Sequence, residues 1–181
     1  MQAPVELVPL RCIRCDTPVA AGPDEVAWIC VQCGQGLLLD EARGLGPLEI
    51  QAAAGISPGA LGRPFWVANG QVRLQREAKG GFLGSQAGQA ERFWAEPRRF
   101  YIPAFTCPLD ELLELGAYLI QQQANLQPGP PARFQPVTLS PADVPALAEF
   151  IILAVEAGRK DNLKRIDVGL NLEDPDLWVL P

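Results

Sequence analysis

Four cysteines near the start of the chain, in the hooks Cys12-Ile13-Arg14-Cys15 and Cys30-Val31-Gln32-Cys33, constrain its folding more than any other feature. Fourteen residues separate the hooks, enough chain to bring two opposed knuckles onto one tetrahedral ion, as structural zinc sites do. Each hook needs a sharp turn after its second cysteine. Gly34 follows Cys33 and can take a positive φ, and Asp16 follows Cys15 as one of the few other residue types that tolerates it. Four thiolates close a coordination sphere, so the expected ion holds the fold and leaves no position open for a reacting water.

The flanking residues supply short strands. Val5, Leu7, Val8 and Leu10 deliver the chain to Cys12, Ala27, Trp28 and Ile29 to Cys30, and Leu37, Leu38 and Leu39 form a third run, predicting a three-stranded ribbon over residues 4–40. With these knuckles the first quarter of the chain resembles the zinc ribbon family and its rubredoxin-like turns. The resemblance puts Cys12, Cys15, Cys30 and Cys33 at the ligand positions and implies a structural zinc. The chain departs from iron rubredoxins in its short loop between hooks and in lacking a proline after the third cysteine, so zinc is expected before iron, although ligand softness does not separate the two. A redox dithiol is disfavoured because such pairs usually open a helix after a strand, and here both lie in turns.

Charge and composition remove several functions. The chain of 181 residues is 48% hydrophobic, enough for one domain with a real core plus a small module. Fifteen basic against twenty-one acidic residues give a net charge of -6, which argues against direct nucleic-acid binding through phosphate neutralisation. The complete absence of histidine excludes Ser-His-Asp and Cys-His nucleophilic catalysis and proton shuttling through imidazole. No basic and apolar leader and no bilayer-length apolar run is present, and four hook cysteines suit a reducing compartment; a cytoplasmic location is expected.

After a ribbon at 1–43, residues 44–63 are rich in Gly, Ala and Pro and read as a linker with local order, with one or two helical turns at 48–54. The main domain, 64–181, opens with two apolar runs around Asn69-Gly70, the dipeptide of a type I′ turn, predicting a β-hairpin. The glycine-rich stretch 80–88 lacks the spacing of a phosphate cradle and reads as a mobile loop. Two strand-helix units follow. Phe100 to Phe105 leads into Cys107-Pro108-Leu109-Asp110, and thirty-three residues later Val137-Thr138-Leu139 leads into Ser140-Pro141-Ala142-Asp143, each with proline and aspartate placed to start a helix. The first helix has its apolar face at Leu109, Leu112, Leu113, Gly116, Leu119 and Ile120; the second adds Phe150 and Leu153 to its stripe and reads as buried nearly all round. Residues 166–172 and 177–180, around Glu173-Asp174-Pro175-Asp176, predict a C-terminal hairpin. The expected fold is α+β, a three-stranded ribbon followed by a mixed sheet with two main helices on one face.

Candidate sites in the main domain each have a structural alternative. Cys107 sits at a helix start, where the dipole could activate a thiol, or it is a small buried residue. Asp110, Glu111 and Glu114 could act as acid and base, or be solvated charges on an outer face. Trp66, Phe82, Trp94 and Phe100 could form a recognition patch, or be core. The irregular stretch around Phe82, Leu83, Phe93 and Trp94 is expected to be accessible and to anchor a protein partner. The resulting expectation is a non-enzymatic zinc-binding adaptor or assembly subunit contacting other protein subunits. The alternatives are an accessory factor of transcription or other nucleic-acid machinery acting through protein contacts, and a Cys107-dependent enzyme.

Overall fold

The computed structural model describes residues 10–78, 86–159 and 163–181. Along these residues run β1 (Ala27–Ile29), β2 (Gly36–Asp40), β3 (Gly44–Pro47), β4 (Ile50–Ala52), β5 (Arg63–Ala78), α1 (Gln86–Trp94), β6 (Arg98–Pro103), α2 (Leu109–Gln122), α3 (Val144–Ala157), β7 (Leu163–Leu172) and β8 (Asp176–Leu180). The architecture is α+β. An antiparallel three-stranded sheet, β1-β2-β3, precedes a mixed five-stranded sheet in the order β4-β8-β5-β6, with β7 also paired to β5. No helix among the described residues is long and apolar enough to cross a membrane.

The ribbon sheet differs from expectation in its third strand. Apart from Leu10, the apolar run before Cys12 lies outside the described residues, and the strand that completes the sheet is β3, with Leu39 opposite Leu45 and Asp40 opposite Gly44. Its Gly-Leu-Gly-Pro sequence carries no alternation, and Gly44 at φ 77° makes the tight turn that returns the chain. The helical turns expected at 48–54 are absent too: β4 there runs parallel to β8, with Ile50 opposite Leu177. Residues 44–63 thus contribute strands to both sheets.

The ribbon is docked on the main sheet. The Val26 N–H donates to the Val137 carbonyl at 2.8 Å, and Ala27 and Leu38 pack into the core that contains Trp66, Ile102 and Ile152. The contact is intramolecular, which accounts for apolar ribbon residues too numerous to be buried by the ribbon alone. Val137 itself forms an isolated bridge with Ala27, so the second of the two expected strands is reduced to this contact.

The expected hairpin at Asn69-Gly70 is replaced by one continuous strand of sixteen residues, β5. Gly70 serves space here. A Cβ on it would stand 2.8 Å from Leu172 Cδ1 and 2.9 Å from Phe100 Cε2. From Phe65 to Gly70 the strand pairs with β6, and from Gly70 onward with β7. The C-terminal hairpin is likewise absent. Both β7 and β8 run antiparallel to β5, with Leu172 opposite Gly70 and Asp176 opposite Val67, so residues 173–175 face only two β5 residues and form a bulge. The Glu173 N–H donates to Asn69 O at 2.9 Å inside that bulge.

Burial on both faces explains the unbroken apolar run Phe65-Trp66-Val67-Ala68. Trp66, Phe100 and Ile102 face α3 and the ribbon, whereas Phe65, Val67 and Tyr101 face a second cluster with Leu115, Leu119 and Trp178. Helix α2 divides its apolar residues between the two clusters rather than lying on one face. Gly116 permits this position, since a Cβ there would come within 2.4 Å of Ile151 Cδ1. Before α3, Ser140 Oγ accepts from the Ala142 N–H and a 3-10 turn at Pro141–Asp143 leads into the helix, as the Ser-Pro-Ala-Asp sequence leads one to expect. A third helix, α1, was not anticipated.

Candidate metal centre

The two hooks fold as near copies of one another. In the first, the Cys12 N–H donates to Thr17 O (2.9 Å) and the Asp16 N–H to Cys12 O (2.8 Å); in the second, Cys30 N–H donates to Gln35 O (2.8 Å) and Gly34 N–H to Cys30 O (2.9 Å). Each turn closes through the residue after its second cysteine, Asp16 at φ 58° and Gly34 at φ 74°. Only residues that accept this backbone conformation fit there. The intervening loop is pinned by Glu25, whose carboxylate accepts from Gly22 N–H (2.7 Å) and from Trp28 Nε1 (2.8 Å).

This geometry brings the Sγ atoms of Cys12, Cys15, Cys30 and Cys33 all within 4.8 Å of one another. The closest pairs, Cys12 with Cys33 at 3.6 Å and Cys15 with Cys30 at 3.5 Å, join one hook to the other. Sulfurs about 2.3 Å from a central ion would have tetrahedral edges of about 3.8 Å, so the four fit one metal ion. The Arg14 N–H approaches Cys12 Sγ at 3.4 Å, as a donor to a charged sulfur should. All four cysteines are free, and Cys12 and Cys30 are buried with Trp28 and Leu37 in a cluster beneath the knuckles.

Electrostatics within the cluster favour a cation. The Thr17 hydroxyl, 3.2 Å from Cys15 Sγ, together with the Thr17 backbone holds the Cys15 thiol down to about 6. At Cys33 the Gln35 backbone pulls the other way, but burial and the neighbouring sulfurs outweigh it and push the thiol up to about 12. One sulfur ionises readily and crowding then opposes further negative charge, a situation that a bound dication relieves.

The other sequence candidates do not converge on this site. Trp94 is 2% exposed and is therefore no accessible anchor: it stacks on Phe100 with centroids 6.5 Å apart. Phe93 is half-buried, edge-on to Trp94, with the Arg98 guanidinium 4.1 Å from its ring. Phe82 and Leu83 lie outside the described residues. Trp66 and Phe100 are core, and Asp110, Glu111 and Glu114 are exposed on α2. The Cys107 thiol is raised above its ordinary value by burial first and then by Glu111 and Asp110, which opposes activation by the helix start.

A buried charge cluster went unrecognised in the sequence. Glu156 is fully buried; its Oε1 accepts from Trp94 Nε1 at 2.8 Å and from Arg159 Nε at 2.7 Å, and its Oε2 lies 3.2 Å from Arg76 Nε. The cluster ties α1, α3 and the far half of β5 together. Its one sequence signal was a carboxylate beside Val155 on the core-facing side of a helix with few other charges.

No protein-family model, no curated protein and no solved structure matches the chain.

Proposed function

We propose that this chain is a non-enzymatic assembly subunit whose ribbon, closed by a structural zinc, presents its knuckle tips to another protein. The observation that carries the reading is the exposure of apolar side chains in and beside the two cysteine hooks. Val31 is 93% and Ile13 50% exposed, each following the first cysteine of its hook, and Ile29 beside them is 39% exposed. The all-cysteine donor set suits zinc, and leaves no coordination position for substrate. A metal-clipped knuckle has little entropy left to lose, so apolar groups fixed on it bind at low ordering cost.

The test uses the tagged full chain expressed in its own cells. Wild type is expected to retain a stoichiometric protein partner, and Ile13→Asp with Val31→Asp to lose it while keeping one zinc per chain and an unchanged melting temperature. Retention unaffected by the double substitution would contradict the reading.

A further inference from the structure

Strand β4 is paired along only part of the edge that faces away from β8. In the parallel ladder the Ala53 N–H donates to Val179 O at 2.8 Å, so Gln51 and Ala53 address β8 while Ile50, Ala52 and Ala54 address the opposite edge. On that edge the Gly129 N–H donates to Ala52 O and the Ala54 N–H to Gln127 O, each at 2.7 Å, around an antiparallel bridge of Ala53 with Pro128. The same register sets Pro131 opposite Ile50, and proline has no N–H to give. The ladder therefore stops at Ile50, whose N–H and C=O have no backbone partner on this edge among the described residues. A groove opens at the gap: two adjoining cavities of 730 and 370 Å³ share Ile29, Glu49, Ile50 and Pro131 as walls. Ile29 also belongs to the apolar patch of the cysteine hooks, and the exposed Arg14 of the first hook lines the larger cavity only.

We propose that this groove binds an extended peptide segment of the protein engaged by the hooks, which rests on the knuckle reading above. Backbone chemistry selects the occupant. Ile50 offers one acceptor and one donor on a strand edge, and a single residue of an extended chain satisfies both by donating to Ile50 O and accepting from Ile50 N–H. A helix spends the same groups on its own turns and cannot. The pleat then sends the side chains of the peptide to alternate faces, so an apolar one can lie against Ile29 and Pro131. Towards the hooks, an acidic residue of the peptide meets Arg14. The contact is small, and it gains weight because the same partner is already held at the hooks.

Random peptides in a display library, panned on the zinc-loaded full chain, supply the probe. Selected peptides are expected to shift the Ile50 amide resonance and to lose about tenfold in affinity when the one donating N–H is methylated, the worth of a single hydrogen bond. Pro131→Ala supplies the missing donor to Ile50 from within the chain and is expected to weaken the same peptides by a similar factor without lowering the melting temperature. Arg14→Glu is expected to weaken them too, with one zinc per chain retained. A library that yields no binder, binders that leave the Ile50 amide unmoved, tolerance of methylation at every position, or full affinity for either variant would each overturn the proposal. Ile13 and Val31 do not line the groove. Peptide binding is read on the purified chain and partner retention through those two residues in cells, so failure here leaves the knuckle reading standing.

Discussion

Replacing Glu156 by glutamine isolates the energetic weight of the buried charge cluster. The substitution keeps shape and one carbonyl acceptor but removes the negative charge beside Arg76, whose side chain is 7% exposed, and Arg159, at 16%. Removing one member of a buried pair costs about 3–5 kcal/mol, because the lost group no longer offsets the desolvation of the charge it faced. A carbonyl that still accepts from Trp94 Nε1 restores about 1 kcal/mol, and Arg159 can turn towards solvent, which leaves a loss of about 3 kcal/mol. For a chain of this length each kcal/mol lowers the melting temperature by about 2–4 °C, so a fall of roughly 6–12 °C is expected. Denaturant unfolding followed by tryptophan fluorescence, at fixed zinc, measures it directly. The double variant E156L/R76L removes both members of the Glu156–Arg76 pair and is expected to cost much less than the sum of its single variants. A loss below about 1 kcal/mol for E156Q, or additive behaviour in the cycle, would refute the assignment of the cluster as a coupled unit.

Two further outcomes follow from named contacts. Because burial and the neighbouring carboxylates raise the Cys107 thiol, its thiolate forms only at higher pH; alkylation of the metal-loaded protein should be slower at pH 7 than that of a free cysteine and should accelerate through pH 9 and above, whereas fast labelling at pH 7 would revive the catalytic alternative. Gly70→Ala should destabilise by about 1–3 kcal/mol in thermal melts, since its Cβ would meet Leu172 and the fully buried Phe100, and a neutral result would show that the strand has room there.

Legibility tracked how local each determinant is. The hooks could be read because ligand type, spacing and the φ > 0 positions at Asp16 and Gly34 all sit within a few residues of one another. The helices α2 and α3 could be read because proline, aspartate and apolar period agree with one another over fourteen residues each. Asn69-Gly70 misled because turn propensity is a local preference, and pairing along three neighbouring strands outweighs it. The C-terminal Glu-Asp-Pro segment misled in the same way, since a bulge and a turn share their residues. Trp94 looked accessible because α1 is only nine residues long and its partner, Glu156, lies sixty-two residues away. Strand β3 carried no signal because Gly and Pro occupy positions where backbone pairing alone is needed.

The account rests on a closed four-sulfur centre, and X-ray absorption on protein prepared without affinity-tag metal tests that most directly. One zinc per chain with four sulfur neighbours at about 2.3 Å, lost together with the ribbon fold in Cys15→Ser or Cys30→Ser, is the expected result. Stoichiometric iron, an oxygen or nitrogen neighbour at the ion, or a ribbon that stays folded without metal would contradict it.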